Sequence, residues 1–168
     1  MEEIKFTPIG KIRSPFKKPE GTPIQPPASE GVEGEVELLS TYTEGLKDIE
    51  GFSHLILIYY CHLSDEHSLT VKPFMEDEYH GVFAIRAPSR PNSIGLSIVR
   101  LTEVEGNMLY IKDVDIVDQT PLLDIKPYVA AFDKREETKS GWLEGNLDKL
   151  SDQRDDGRFV ENEDKKQE

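Results

Sequence analysis

The segment that most limits what this chain can become is His54-Leu55-Ile56-Leu57-Ile58-Tyr59-Tyr60-Cys61-His62. It is apolar at both parities and rich in β-branched and aromatic residues, and it stops far short of the ~20 residues needed to span a membrane. Such a run predicts a strand covered on both faces, so the rest of the chain must supply that cover.

The flanking segments read mainly as further strands. Phe6–Arg13 alternates in part and stops at Ser14-Pro15, and Gly34–Leu39 alternates at period two, as a half-exposed strand does. Gly81–Arg86, Ser93–Val104 and Met108–Val117 are also strand candidates, the last two joined by the hairpin-like Glu105-Gly106-Asn107. Thr43–Ile49 predicts one short helical turn capped by Thr43. No helical periodicity of a dozen residues interrupts the strands before residue 140, which points to a β-barrel or a strongly curved, mostly-β sheet. The stretch Lys17–Gly34 carries Pro19, Pro23, Pro26 and Pro27 with three glycines, and loops of that length go with function or disorder. The organisation expected is a barrel domain over 1–132, then 133–168 with one short amphipathic helix near Trp142–Leu150 and a mobile, charged tail from Ser151.

Charge is segregated along the 168 residues. The total of 33 acids against 20 bases, net −13, excludes a uniformly basic nucleic-acid coat. Yet Ile4–Ser29 carries Lys5, Lys11, Arg13, Lys17 and Lys18 against Glu20 alone, and Gly81–Arg100 holds Arg86, Arg90 and Arg100 with no acid. These islands suit a phosphate or carboxylate ligand. The lone Cys61 excludes an intramolecular disulfide and fits a reducing cytoplasm. Glu2 and Glu3 stand where a secretory leader would be positive, so neither a leader nor a membrane partner is expected.

Several familiar chemistries are missing. The chain contains no P-loop and no dinucleotide fingerprint, and His54, His62, His67 and His80 lack metal-ligand spacing, so no metal is expected. Cys61 and His62 would point to opposite faces of a strand and cannot act as nucleophile and base; they read as a core thiol and a structural imidazole. Two segments are unusual. Arg86–Ser97 interrupts two strands with arginines, prolines, Asn92 and Gly95, which suits either a rigid turn or a ligand grip. Asp115–Tyr128 places Asp115, Asp118 and Asp124 near Thr120 and Tyr128, either to cap turns or to bind a cation, orient hydroxyls or accept a proton. Spacing leaves both pairs of readings open.

Ile9–Phe16, Phe52–Leu55, Gly81–Arg86, Arg90–Ser97 and Asp115–Tyr128, in that order, resemble the tRNA threonylcarbamoyladenosine methyltransferase family over about residues 4–130. The resemblance implies a single-sheeted β-barrel with short peripheral helices and a charged C-terminal tail. It implies a homodimer that uses S-adenosylmethionine to methylate N(6) of threonylcarbamoyladenosine beside the tRNA anticodon. Carried over by position, cofactor contacts fall on Pro23, Ile24, Gln25, His62, Leu63, Arg86, Leu96, Asp115, Ile116, Val117 and Asp118. This chain has Ile24, Ser93 and Gln119 where the family commonly has arginine, proline and glycine. For that reaction, Asp118 or Asp124 is expected to favour the sulfonium or take the N(6) proton, and Tyr128 to position the base. Arg90 and Asn92 are expected to grip the threonyl carboxylate or carbamoyl oxygen. Two rival readings use the same residues: a different nucleoside or small-molecule acceptor, and a non-catalytic barrel that holds an adenosyl ligand.

Overall fold

A computed structural model describes residues 2–64, 67–147 and 153–159. Its strands are β1 (Gly10–Arg13), β2 (Glu33–Leu38), β3 (His54–Tyr60), β4 (Thr70–Val71), β5 (His80–Gly81), β6 (Ile94–Glu105), β7 (Met108–Lys112) and β8 (Thr120–Pro127). Six of them form a closed antiparallel barrel in the order β1-β2-β7-β6-β3-β8, and β8 returns to pair with β1. The short pair β4–β5 lies apart, in the insert between β3 and β6.

The apolar run becomes β3, flanked by β6 (Tyr60 opposite Ile94, His54 opposite Arg100) and by β8 (Leu55 opposite Pro127). Leu55 and Leu57 point inward to the core with Ile12, Val36, Leu38, Val99, Leu109, Ile111, Val114, Ile116 and Leu122. The other parity differs from the expectation of cover on both faces. Ile56 and Ile58 are only half-buried, and Tyr60, Ile94 and Leu96 are exposed on the barrel's outer wall.

Other expectations shift for identifiable reasons. Gly81–Arg86 is no strand: it holds the end of β5 and a 3-10 turn, Val82–Ala84, which buries Val82 and Ile85 in a second small core with Val71 and Ala87. β7 stops at Lys112, because Asp113 adopts a left-handed φ of 69° and turns the chain out of the ladder. The closing strand β8 carries Pro121 and Pro127, which obscure it in the sequence; Pro121 is its second residue, opposite Lys11, and Pro127 its last. The expected helix near Trp142 is a 3-10 turn over Gly141–Gly145, and its residues 148–150 lie outside the described residues. The tail expected to be mobile from Ser151 is, over residues 153–159, packed against the first loop and the insert. No helix among the described residues is long and apolar enough to cross a membrane.

Barrel closure requires tight backbone approach at Gly10. A Cβ there would stand 2.3 Å from the Glu37 carbonyl oxygen and 2.9 Å from the Leu38 Cα, both main-chain atoms that cannot swing away. Gly10→Ala is expected to cost about 1–3 kcal/mol, read as a lowered denaturant midpoint with an unchanged slope.

Candidate cofactor site

Three segments far apart in sequence meet at one rim of the barrel. They are the start of β6 with the end of β3, the loop between β7 and β8 that carries Asp115–Asp118, and the proline-rich first loop. Gly95 lets this rim close. A Cβ on it would lie 2.1 Å from the Tyr59 ring, so the absence of a side chain allows Tyr59 to lie across β6.

The Ser97 hydroxyl, buried on the core side of β6, donates to Asp115 Oδ1 at 2.6 Å. With its hydrogen committed there, Ser97 Oγ accepts from the Tyr59 hydroxyl at 3.0 Å. Burial pushes Asp115 up to about 6, against the opposing pull of the Ser97 hydroxyl and the Arg86 charge. Burial likewise raises Tyr59 and keeps it a neutral donor, and it pushes the Cys61 thiol up to about 11, which leaves Cys61 a protonated packing residue. Arg86 Nη1 donates to Gln25 Oε1 at 3.1 Å, joining the insert to the first loop.

The remaining sites fall into two groups. Near this rim, Pro23 is buried and Ile24 half-buried; His62 Nδ1 lies 3.4 Å from Thr120 Oγ1, which donates to the Val117 carbonyl at 2.7 Å, and burial lowers the imidazole. Ile116 is a core residue whose carbonyl accepts from Ser14 Oγ at 2.6 Å. Burial opposes ionisation of Asp118, but Lys17 Nζ at 2.7 Å, the Ser14 amide at 3.0 Å and Gln119 hold it below the usual carboxylate range. Gln119 itself has a φ of 63°, the left-handed conformation that explains a glycine preference at this position. Leu63 and Leu96 are exposed, Leu96 at 51% on the outer wall.

Asp124 and Tyr128 stand elsewhere. Asp124 lies opposite Ile58, paired with Lys126 at 2.7 Å, and Tyr128 sits edge-on to His54 at the far end of β8. Eight strand steps of about 3.3 Å separate Thr120 from Tyr128, so the extended backbone carries both residues away from Asp118. Arg90 Nη2 donates to the Val82 and Ile85 carbonyls at 2.8 and 3.1 Å, bracing the turn of the insert, while Asn92 is exposed beside it. Sequence reasoning passed over Ser97 and Tyr59. Their signal was a serine and a phenol at the core parity of two adjacent strands, facing each other beside a glycine.

The donor set at this rim suits an adenosyl sulfonium: a buried carboxylate for cation or ribose hydroxyls, a guanidinium–amide pair for a carboxylate, and exposed leucines for a purine face. Among the described residues no cluster of three or more His, Cys, Asp or Glu could hold a metal ion. Residues 11–134 match the family described as the tRNA-methyltransferase O N-terminal domain. The chain belongs to the tRNA-methyltransferase O family. Membership makes S-adenosylmethionine the cofactor and methyl transfer to tRNA the reaction class. A probable S-adenosyl-L-methionine-binding protein of Pyrococcus abyssi is 59% identical over 93% of this chain and 85% of its own length. The tRNA (adenine(37)-N6)-methyltransferase of Escherichia coli K12 is 37% identical over 77% of this chain and 59% of its own length. A crystal structure of TrmO from Pseudomonas aeruginosa superposes with a TM-score of 0.71 at 36% identity, covering 84% of this chain and 63% of that one. This family member thus spans less than two thirds of those two relatives.

The raised Asp115 makes folding sensitive to pH. Its folded value lies above the ordinary carboxylate value, so the native state binds the extra proton, and the stability this group contributes is present at low pH and is lost as pH rises through about 6. Asp115→Asn, which still accepts from Ser97, is expected to remove that decline, on the order of 2–3 kcal/mol, from the difference between stability curves measured from pH 4 to 7.

Proposed function

We propose that this tRNA methyltransferase transfers a methyl group to N(6) of threonylcarbamoyladenosine beside the anticodon, as a cytoplasmic homodimer. The observation that carries the reading is the convergence of Gln25, Arg86, Ser97 and Asp115 from separate segments on one rim. The name of the Escherichia coli relative supports adenine N(6) as the acceptor.

Bound S-adenosylmethionine supplies an electrophilic methyl carbon on a positively charged sulfur. The chain's own task is to hold the acceptor nitrogen in line and to manage a proton. The N(6) lone pair is delocalised into purine and carbamoyl groups, so attack is helped by loss of the N(6) proton. Asp115, with its raised value, suits proton acceptance near neutral pH better than Asp118, which Lys17 and Ser14 keep ionised. Ser97 and Tyr59 fix the Asp115 carboxylate, and Gln25 fixes Arg86 toward the anionic end of the cofactor. Arg90 shapes the turn that presents Asn92 to the threonyl carboxylate or carbamoyl oxygen.

Charge limits the approach of tRNA. The outer side of β2, β7 and the end of β6 carries Glu33, Glu35, Glu37, Glu103 and Glu105; Lys112 pairs with Glu33 and Lys11 and Arg13 with Glu37, and the other three carboxylates repel a phosphate backbone. Contact is therefore confined to the modified nucleoside and a short loop, and salt dependence is weak. The outer wall of β3 and β6 is the opposite case. Ile56, Ile58 and Tyr60 face Ile98, Leu96 and Ile94, with Phe83 81% exposed in the insert. A second copy on this wall supplies the cover that the apolar run calls for, and it brings Leu96 within reach of the partner's cofactor.

The deciding assay follows labelled methyl groups from S-adenosylmethionine to tRNA with and without the threonylcarbamoyl group. Transfer only to the modified tRNA is expected; equal transfer to both would overturn the acceptor, and binding without any S-adenosylhomocysteine would overturn catalysis. Sedimentation is expected to show a dimer that Leu96→Asp converts to monomer, and a monomeric wild type would remove the second copy.

A further inference from the structure

We infer that residues 141–147 and 153–159 act as a positioning strap that sets the spacing between the two halves of the cofactor contact, Gln25 and Arg86; the inference rests on the cofactor reading above.

One end of the strap grips the first loop by main-chain bonds. Pro23 and Arg154 form an antiparallel bridge; the Gly21 amide donates to the Asp155 carbonyl at 2.7 Å, and the Asp155 amide donates to the Thr22 carbonyl at 2.8 Å. Thr22 and Pro23 are buried beneath it, two or three residues before Gln25. The Asp155 carboxylate accepts from the Gly157 amide at 2.7 Å and so holds the strap's own turn.

The rest of the strap grips the insert that carries Arg86. Trp142 Nε1 donates to the Ala84 carbonyl at 2.9 Å, two residues before Arg86, and its indole stacks on His80 at 4.7 Å between centroids. Phe159 packs edge-on against Phe74 at 5.0 Å, and Arg158 covers the other contact of that ring at 4.7 Å while donating to the Pro73 carbonyl at 2.8 Å. Trp142 and Phe159 both pack against the insert's small core of Val71, Val82, Ile85 and Ala87.

The consequence is geometric. The first loop is proline-rich and the insert has only a two-residue strand pair of its own, so neither sets the distance to the other. At the site they are joined by the Arg86–Gln25 bond, which is exposed. A side-chain bond of that kind is worth too little to order two long loops, whereas a main-chain bridge on one loop and an aromatic anchor on the other hold both before the ligand arrives. The strap pre-organises the cofactor site without touching the cofactor.

The test uses the full-length chain. Asp155→Pro removes the amide that donates to Thr22 and leaves the barrel core intact; Phe159→Ala loosens the far anchor without touching the first loop. Calorimetry is expected to show S-adenosylmethionine bound roughly tenfold more weakly by Asp155→Pro, and less severely so by Phe159→Ala. KM for the cofactor is expected to rise while kcat at saturation holds. Without any ligand, hydrogen exchange at the Gly21 amide is expected to accelerate in Asp155→Pro while the β3 and β6 amides stay protected. Leu101→Ala, a destabilising change elsewhere in the barrel, is expected to lower the melting temperature with no change in affinity. Variants that bind as tightly as the wild type overturn the strap, as does a Leu101→Ala loss equal to theirs. If Asp155→Pro fails to fold, Phe159→Ala decides. A wild type that does not bind S-adenosylmethionine overturns the cofactor reading, and the strap's role goes with it, a result distinct from equal binding by all variants.

Discussion

Closure of the hydrogen-bonded ladder between β1 and β8 is the constraint on which the other features of this molecule rest. Antiparallel pairing around six strands leaves no unpaired edge, and it forces Leu55, Leu57, Ile12 and Leu122 inward from strands on both sides of the seam. The loop between β7 and β8 must then cross one mouth of the barrel to reach the seam. Asp113 and Gln119 supply left-handed corners near its ends. Arg100 and the Gly31 amide hold Asp113, and Ser14 and Lys17 hold Asp118, so the loop is tied at both ends. Asp115 is carried between those ties into a buried position that its own chemistry disfavours.

That burial is tolerated because each polar atom has an assigned task. A desolvated carboxylate is costly, and Ser97 with Arg86 nearby offsets only part of the cost, which leaves the raised value. The contrast with Asp118, three residues on, is instructive: it is less deeply desolvated and takes a direct ion pair from Lys17 with hydrogen bonds from the Ser14 amide and Gln119, and its shift runs the other way. Two carboxylates on one short loop therefore differ in proton affinity through environment alone, a pattern suited to dividing electrostatic and proton-transfer roles. The mouth they line is completed by segments with little regular structure, and the C-terminal strap supplies the order that strands would otherwise provide.

Much of the fold was legible because strands announce themselves by period and by composition. The apolar run at 54–62, the alternation at 34–39 and the hairpin at 105–107 all carry short-range information, and β3, β2 and the β6–β7 turn follow from it. β8 was hidden because its two prolines read as turn residues, and their tolerance depends on where the strand starts and stops, a tertiary fact. The family motifs were legible because each is a contiguous run of residues. Ser97 closes the Arg90–Ser97 motif but Tyr59 belongs to none, and the two become hydrogen-bond partners only when β3 and β6 are laid side by side with Gly95 opposite the phenol.

Local sequence, then, determined the strands β1, β2, β3, β6 and β7, the acidic and basic segregation and the family, because each is a property of residues adjacent along the chain. Tertiary structure alone decided which carboxylate is buried, that Asp124 and Tyr128 lie far from Asp118, and that residues 153–159 fasten the first loop. Those outcomes depend on strand register and barrel closure, which bring together groups separated by dozens of residues. Desolvation, which sets the proton affinity of Asp115, exists only once that enclosure has formed.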